Sequence, residues 1–414
     1  MEGTVRDVVI VGGGASGMIS GIFAARNGHK VTILEHKDKL GKKLLATGNG
    51  KCNYTNLVQG KDKYRCEEAN FPEKVLEGFD VSSTIEFFKE LGVYPKERNG
   101  YLYPYSEQAS SVLHVLEMEL KRLKVKIQLS VHVKEVKKQG QKFLLYTENE
   151  VIKGDVVILA TGGCASPNLG SDGSGYQLAK SFGHRIIKPL PALVQLVSKE
   201  KFLKTIQGVR CQGSIQLFSN GKVIGHETGE LLFANYGISG IPILQISRFA
   251  AKELDKGNKV TLGVDFMPEL RGEEVKELLM ARLLHNPMKN LEEMMIGLLN
   301  HKLSFVLLKE SGLNVEMLCK DVGNKEIDRL VNRIKGLTLS IIDTNPFDQA
   351  QVSSGGVSTK EIDRVTLESK LVKGLFFTGE VMDVDGTCGG YNLQWAWSSG
   401  VVAARGIEGR ISRD

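Results

Sequence analysis

Six residues, Gly12-Gly13-Gly14-Ala15-Ser16-Gly17, leave this chain few choices of fold. They follow a short apolar run, Val8 to Val11, of the kind that forms a buried parallel strand. Met18 to Asn27 then reads as a helix with Met18, Ile22 and Ala25 on one face, closed by Gly28. Lys30 to Leu34 reads as the next strand, ending on Glu35. Gly12-x-Gly14-x-x-Gly17 is the spacing of a dinucleotide-binding turn. The first glycine permits the tight turn and the second lets a pyrophosphate approach the backbone. The third packs helix on strand, and the helix start faces the phosphates. Glu35, at the end of the second strand, is placed to accept both hydroxyls of a ribose that lacks a 2′-phosphate.

This first segment does not separate FAD from NAD. The far end of the chain does. Leu375 to Thr378 reads as a strand running into Gly379-Glu380, an acid suited to a ribityl hydroxyl. Asp383, Asp385, Gly386 and Gly389-Gly390-Tyr391-Asn392 follow and enter an apolar helix. A helix start aimed at a flavin pyrimidine ring would stabilise the charge that the reduced ring gathers near N1. A nicotinamide has no such need. Ala160-Thr161-Gly162-Gly163, at the end of a strand from Asp155 to Leu159, adds a third glycine turn.

Between these ends the pattern changes twice. Helical patterns at 81–91 and 107–123, the second with Ser106 as a candidate N-cap, precede strand-like stretches Lys126 to Val136 and Lys142 to Glu148. From Pro189 and Pro191 to about 265 the pattern is strand-like, with one helix near 240–255. Residues 272–335 turn helical, with Val275, Leu278, Leu279, Leu283 and Leu284 at helical spacing. Leu337 to Ile342 is again strand-like and leads back toward the first domain. No period of self-similarity marks a repeat protein.

Composition adds exclusions. No run approaches the ~20 apolar residues of a membrane helix. The early apolar run leads into glycines, not a cleavage site, and reads as a strand. The net charge of +6 comes from 54 basic and 48 acidic residues, with the lysines scattered. Nucleic acid is therefore not an expected partner. Six cysteines, including Cys52 and Cys388 in separate glycine-rich segments, form no Cys-x-x-Cys or Cys/His metal spacing. Reduced thiols in a cytoplasmic protein, with no metal, are expected. The histidines have no triad or metal partners by spacing. Tyr101, Tyr103 and Tyr105 alternate along a strand-like segment, as half-buried packing or as a wall or acid over a flavin.

Gly41 to Asn53 (GKKLLATGNGKCN), Asp172-Gly173-Ser174-Gly175, Gly229 to Phe233 (GELLF), Ser353 to Val357 (SSGGV) and Asp383 to Asn392 (DVDGTCGGYN) make the likeness specific. The chain resembles the BaiN-like (also YhiN-like) family of bacterial NAD(P)/FAD-dependent oxidoreductases, from its first strand to its last helix. The plan is more distantly similar to succinate dehydrogenase and fumarate reductase flavoproteins. The resemblance implies an α/β fold, a Rossmann-type FAD-binding domain of residues 1–188 and 345–414. A β-barrel-like insert of 189–268 and 336–344 interrupts it, and a helical subdomain of 269–335 interrupts the insert. The implied cofactor set is Gly12, Gly14, Ala15, Ser16, Gly17, Glu35, His36 and Lys37 in the first unit. Lys43, Thr47, Gly48, Asn49, Gly50, Cys52 and Asn53 follow, with Lys42 a further donor and Cys52 facing the ring. Val133 backbone atoms would meet adenine, beside Ala160, Thr161 and Gly162. Gly379, Glu380, Asp383, Gly390, Tyr391, Asn392 and Leu393 close the set. One departure stands out: Ala234-Asn235 occupies the place where such proteins commonly carry Thr-His. No catalytic residue is assigned.

The expected chemistry is hydride transfer through flavin N5 to an activated C=C bond of an apolar small molecule, with NAD(P)H or another donor as reductant. An RNA-modification flavoprotein is a second reading, which clustered Lys and Arg on the insert would favour. A flavin-binding sensor is a third. No second Gly-x-Gly-x-x-Gly marks a separate nicotinamide domain.

Overall fold

The computed structural model describes residues 4–408. The chain divides into two units, Met1–Leu190 with Gln351–Asp414, and Pro191–Ala350.

The first unit is built on a five-stranded parallel sheet. Its order is Leu375–Phe377, Val156–Leu159, β1 (Asp7–Val11), β2 (Lys30–Leu34), Lys126–Gln128. Ile10 stands opposite Ile158 on one side and Ile33 on the other. Val156–Leu159 and Leu375–Phe377 are buried along their whole length, as strands covered on both faces must be. Helix α1 (Ala15–Arg26) joins β1 to β2, and helix α2 (Tyr391–Gly406) packs against α1. The approach is close. A Cβ on Gly400 would lie 2.3 Å from Ile19 Cγ2 and 2.8 Å from Ser16 O. α2 is buried on nearly every side, so its polar residues are matched internally. Gln394 donates to Thr84 Oγ1 and accepts from Thr55 Oγ1, and Trp397 Nε1 donates to Tyr54 O. A small antiparallel sheet sets β3 (Tyr101–Pro104) between Thr55–Asn56 and Pro95–Arg98.

Two local expectations fail here. The strand expected over Lys126 to Val136 is two strands, Lys126–Gln128 and Glu135–Gln139, in different sheets. Between them the chain crosses the end of β2: Ser130, at φ 56, donates to Lys37 O and Val131 donates to Glu35 O. Ser106 does not cap the following helix. That helix begins at Ala109 after Gln108, and Ser106 Oγ pairs with Ser111 Oγ instead. Glu107 turns the chain with φ 52, its carboxylate held by Lys96, Arg98 and Lys51.

The second unit is a closed antiparallel barrel. Its order is Leu196–Ser198, Gly237–Ser239, Lys222–Ala234, Arg210–Ser219, Val260–Asp265, Leu337–Thr344. The last strand pairs with the first and closes the ring, so Leu337–Thr344 is barrel wall. Alternation along Val260–Asp265 puts Val260, Leu262 and Val264 inside. Helix Asn324–Gly336 buries Ile327, Leu330, Val331 and Ile334, an i, i+3, i+4, i+7 stripe. These residues share one continuous core with the barrel's Leu262 and Leu339, so helices and barrel are one packed body.

Candidate functional site

The glycines at the end of β1 separate what the fold needs from what it leaves open. A Cβ on Gly12 (φ +106) would lie 2.4 Å from Ala160 O, and one on Gly17 would lie 2.0 Å from Gly12 O. The protein's own backbone excludes side chains at both. Gly14 is different: its φ is −77° and a Cβ there meets nothing within 4 Å. Nothing inside the protein demands glycine at 14, and the space beside it is open to a ligand that approaches the backbone. Gly14 begins α1 with no side-chain cap, and the first helical hydrogen bond is Met18 N–H to Gly14 O at 2.9 Å. The N–H groups of Ala15, Ser16 and Gly17 therefore face the turn at the positive end of the helix.

Glu35 ends β2 buried. One carboxylate oxygen accepts from Gly13 N–H at 2.7 Å and the other from Lys37 N–H at 2.8 Å. Each oxygen keeps a second acceptor direction for ribose hydroxyls. His36 stands between carboxylates, 3.4 Å from Glu35 and 3.9 Å from Asp172. Val133 is buried in the segment that Val131 ties to Glu35.

The loop from Gly41 folds back on the turn, with Gly41 N–H bonded to Gly13 O at 3.0 Å. Gly48, Asn49, Gly50 and Cys52 all take positive φ. Lys43 Nζ reaches Glu380 at 2.8 Å, an ion pair across 337 positions of sequence. Lys42 is held by Asp38 at 2.5 Å, and Thr47 Oγ1 donates to Leu44 O. Cys52, expected to face the ring, has no exposed surface. Its thiol packs beside Thr47, and burial pushes its pKa up to about 12, so it is a neutral filler.

At the other end, Glu380 accepts from Ser353 N–H at 2.8 Å, and Ser353 Oγ accepts from Cys164 N–H at 2.8 Å. A Cβ on Gly379 would meet Ser16 Oγ at 2.6 Å, and Trp395 Nε1 donates to Gly379 O at 3.1 Å. Asp383 accepts from Glu67 N–H at 2.8 Å. Gly390 (φ +93) begins α2 uncapped, its Cβ position 2.7 Å from Thr55 O and 2.9 Å from Asn53 Oδ1. Asn53 Oδ1 and Thr387 Oγ1 are buried without hydrogen-bond partners. Such atoms cost about 1–3 kcal/mol each until something satisfies them. Asn392 Oδ1 accepts from Gly386 N–H at 2.8 Å and its Nδ2 donates to Gly386 O at 2.9 Å, so its side chain serves the protein.

The contacts above thus join the three glycine turns and the 41–53 loop. Two participants escaped the sequence reading. Ser353 lay in a recognised motif to which no role was given, and Asp172 likewise. Among the described residues no group of three or more His, Cys, Asp or Glu side chains is placed to hold a metal ion, and no helix is long and apolar enough to cross a membrane. All six cysteines are free.

The residues fit FAD: an open pyrophosphate cradle, a ribose acid, and two uncapped helix starts. The chain is 45% identical over 399 residues to a 3-dehydro-bile acid delta(4,6)-reductase of Clostridium scindens, covering 96% of this chain and 97% of that one. It is 32% identical over 406 residues to a ribosomal RNA dihydrouridine synthase of Haemophilus influenzae, covering 96% and 98%. Among solved structures, 3-ketosteroid delta1-dehydrogenase from Sterolibacterium denitrificans aligns with a TM-score of 0.47 at 14% identity, covering 98% of this chain and 99% of that one. The HI0933-like protein Rossmann domain matches residues 6–406. The chain belongs to this HI0933-like family of FAD-dependent oxidoreductases.

Proposed function

We propose that this flavoenzyme reduces a C=C bond conjugated to a carbonyl in an apolar, steroid-like ketone, with NAD(P)H as electron donor. The observation that carries the reading is the 45% identity, spread over 96% of the chain, to the bile acid delta(4,6)-reductase. When bound, FAD supplies two-electron hydride chemistry at its ring N5. The chain's own residues hold and polarise it. Gly14 and the start of α1 would take the pyrophosphate, and Glu35 the adenosine ribose. Glu380, fixed by Lys43 and Ser353 N–H, would take a ribityl hydroxyl. The start of α2 would offer N–H donors and about half a positive charge to the reduced ring. Cys52, its pKa raised by burial to about 12, stays a thiol at neutral pH. Six free cysteines, each with its thiol pKa raised by burial, suit a reducing, cytoplasmic setting.

The ribosomal RNA dihydrouridine synthases favour a second reading, since forming dihydrouridine also saturates a C=C bond beside a carbonyl. The insert argues against it. Between residues 191 and 350, Lys and Arg number 20 and Asp and Glu number 19. That balance offers little to a phosphate backbone. A single screen separates the readings. Reduced holoenzyme under nitrogen is offered a 3-oxo-4-ene steroid acid, its 4,6-diene, and unmodified ribosomal RNA. Gain of two hydrogens per double bond in the steroid, with RNA untouched, is the expected result. Turnover of RNA alone would replace the first reading with the second.

A further inference from the structure

Tyr101 and Tyr103 share one face of β3, while Leu102 and Pro104 are buried on the other. Each ring lies against one of the glycine loops of the site. A Cβ on Gly389 would meet the Tyr101 ring at 2.5 Å, and a Cβ on Gly48 would meet the Tyr103 ring at 3.7 Å. The strand therefore bridges the 41–53 loop and the start of α2. Both rings are half-buried. Of the other tyrosines of this unit, Tyr391 donates to Val58 O at 2.7 Å and Tyr64 to Gln59 Oε1 at 3.3 Å, while the Tyr54 and Tyr176 hydroxyls are enclosed in the protein without hydrogen-bond partners. Neither the Tyr101 nor the Tyr103 hydroxyl hydrogen-bonds to a described residue. Tyr101 is wedged on Gly389 and serves as wall. Tyr103 has looser contacts and stands near Arg98 and Glu107, part of an exposed charged cluster open to water. Burial raises both phenols above their usual range, so both carry their protons at neutral pH.

We propose that Tyr103 is the catalytic acid of the reduction, giving its phenolic proton to the α carbon of the conjugated carbonyl compound. The assignment rests on the reading above. Hydride from the reduced flavin forms the new C–H bond at the β carbon, and the C=C π pair takes the tyrosine proton at the α carbon. The flavin is left oxidised, and the phenolate regains a proton from water.

The test uses reduced holoenzyme in stopped flow with two acceptors. An enone needs a proton on carbon, whereas ferricyanide takes electrons alone. Tyr103→Phe should slow oxidation by the enone about 100-fold, within the usual worth of a general acid, and leave oxidation by ferricyanide within about twofold. The wild-type enone rate should fall at alkaline pH as the phenol ionises, and the variant should lack that limb. Tyr101→Phe should stay within about fivefold on both acceptors. Retained enone reduction in Tyr103→Phe with the alkaline limb intact, or equal slowing with both acceptors, overturns the assignment. Wild-type holoenzyme that reduces no enone overturns the proposed function, and the assignment with it.

Discussion

Helices α1 and α2 begin at Gly14 and Gly390, with no side chain capping their first N–H groups. In the second unit, helix Leu291–Met295 begins at Asn290, whose side chain accepts from Glu293 N–H at 2.8 Å while Glu293 accepts from Asn290 N–H at 3.0 Å. Helix His301–Glu310 is capped by Asn300. The contrast is not simply one of units. Helix Val81–Glu90, in the first unit, is capped by Asp80, which accepts from Ser83 N–H at 2.8 Å. Uncapped starts are not confined to the site: Asn70 and Gln108 in the first unit and Gly240 and Gly323 in the second also begin helices without a side-chain cap. A side-chain cap contributes about 1 kcal/mol; what sets Gly14 and Gly390 apart is that both uncapped starts lie in the glycine turns of the candidate site, where a ligand could take its place.

The largest effect should come from occupying the space at Gly14. Gly14→Leu places a side chain where the fold leaves an opening and the ligand needs one, at a φ that any residue adopts. Purified variant should be colourless and should not take up FAD on dialysis, with circular dichroism unchanged. A yellow Gly14→Leu protein would end the cradle argument. Gly17→Leu should fail differently, by loss of soluble protein, because its Cβ would strike Gly12 O at 2.0 Å.

The second prediction asks whether the units are as separate energetically as their cores are. Replacing 191–350 by a short Gly/Ser linker should leave a yellow protein, since every residue of the candidate site lies in the first unit. Truncation after 370 removes α2 and should leave no flavin. Deleting only about 270–335 should be worse than removing the whole insert, because it opens the core that helices and barrel share. Solubility and bound flavin of the three proteins rank the outcomes; a soluble 270–335 deletion would show that the barrel core stands alone.

Much of this was legible. The β1–α1–β2 unit is local, and three glycines and an acid at fixed spacing admit few other structures. Val260–Asp265 falls within the stretch read as strand-like up to about 265, and its alternation survives because one face is buried. The closing role of Leu337–Thr344 was not legible, since a strand's partners are not written in its own residues. The same holds for Lys43 with Glu380 and for Ser353 with Glu380, pairs made only by the folded chain. The break at 129–134 was hidden because its apolar Val131 and Val133 continue a strand-like pattern while the backbone bends around β2.

A titration compares the units at smaller scale. Glu119, buried, accepts from Arg26 and Arg122, which hold its pKa down to about 2, Arg122 contributing most. In the second unit Glu253 is held to about 2, first by Lys256, then by Ser219 and Asn258. A depressed carboxyl stabilises the fold above its unfolded pKa of about 4.3, and that contribution is lost as pH falls toward 2. Glu119→Gln should lose about 2 kcal/mol at pH 7 and nothing relative to wild type near pH 2. Glu253→Gln should lose less, its oxygens being nearer water. Thermal unfolding across this range checks both, and an equal penalty at both pH extremes would mean packing, not charge, is what Glu119 supplies.

The smallest effect probes the start of α2 directly. Asn392 has two separable assets, a side chain that clamps Gly386 and a backbone N–H in the first turn of the helix. Asn392→Ala loses the clamp and keeps the N–H. Asn392→Pro loses both, and proline is tolerated in a first helical turn because that N–H has no helical partner. If the helix start stabilises charge on the reduced ring, the proline variant should have a lower midpoint potential than the alanine variant by tens of millivolts. For a two-electron couple, 30 mV is about 1.4 kcal/mol, the scale of one hydrogen bond to a charged group. FAD affinity should fall only partly in either variant, because Gly14, Glu35 and α1 are untouched. Using alanine as the reference removes the clamp from the comparison and leaves only the N–H. Equal potentials in two folded, FAD-loaded variants would mean that this N–H does nothing for the reduced ring, and Gly389-Gly390 would then be explained by their close packing on Tyr101 and Thr55 alone.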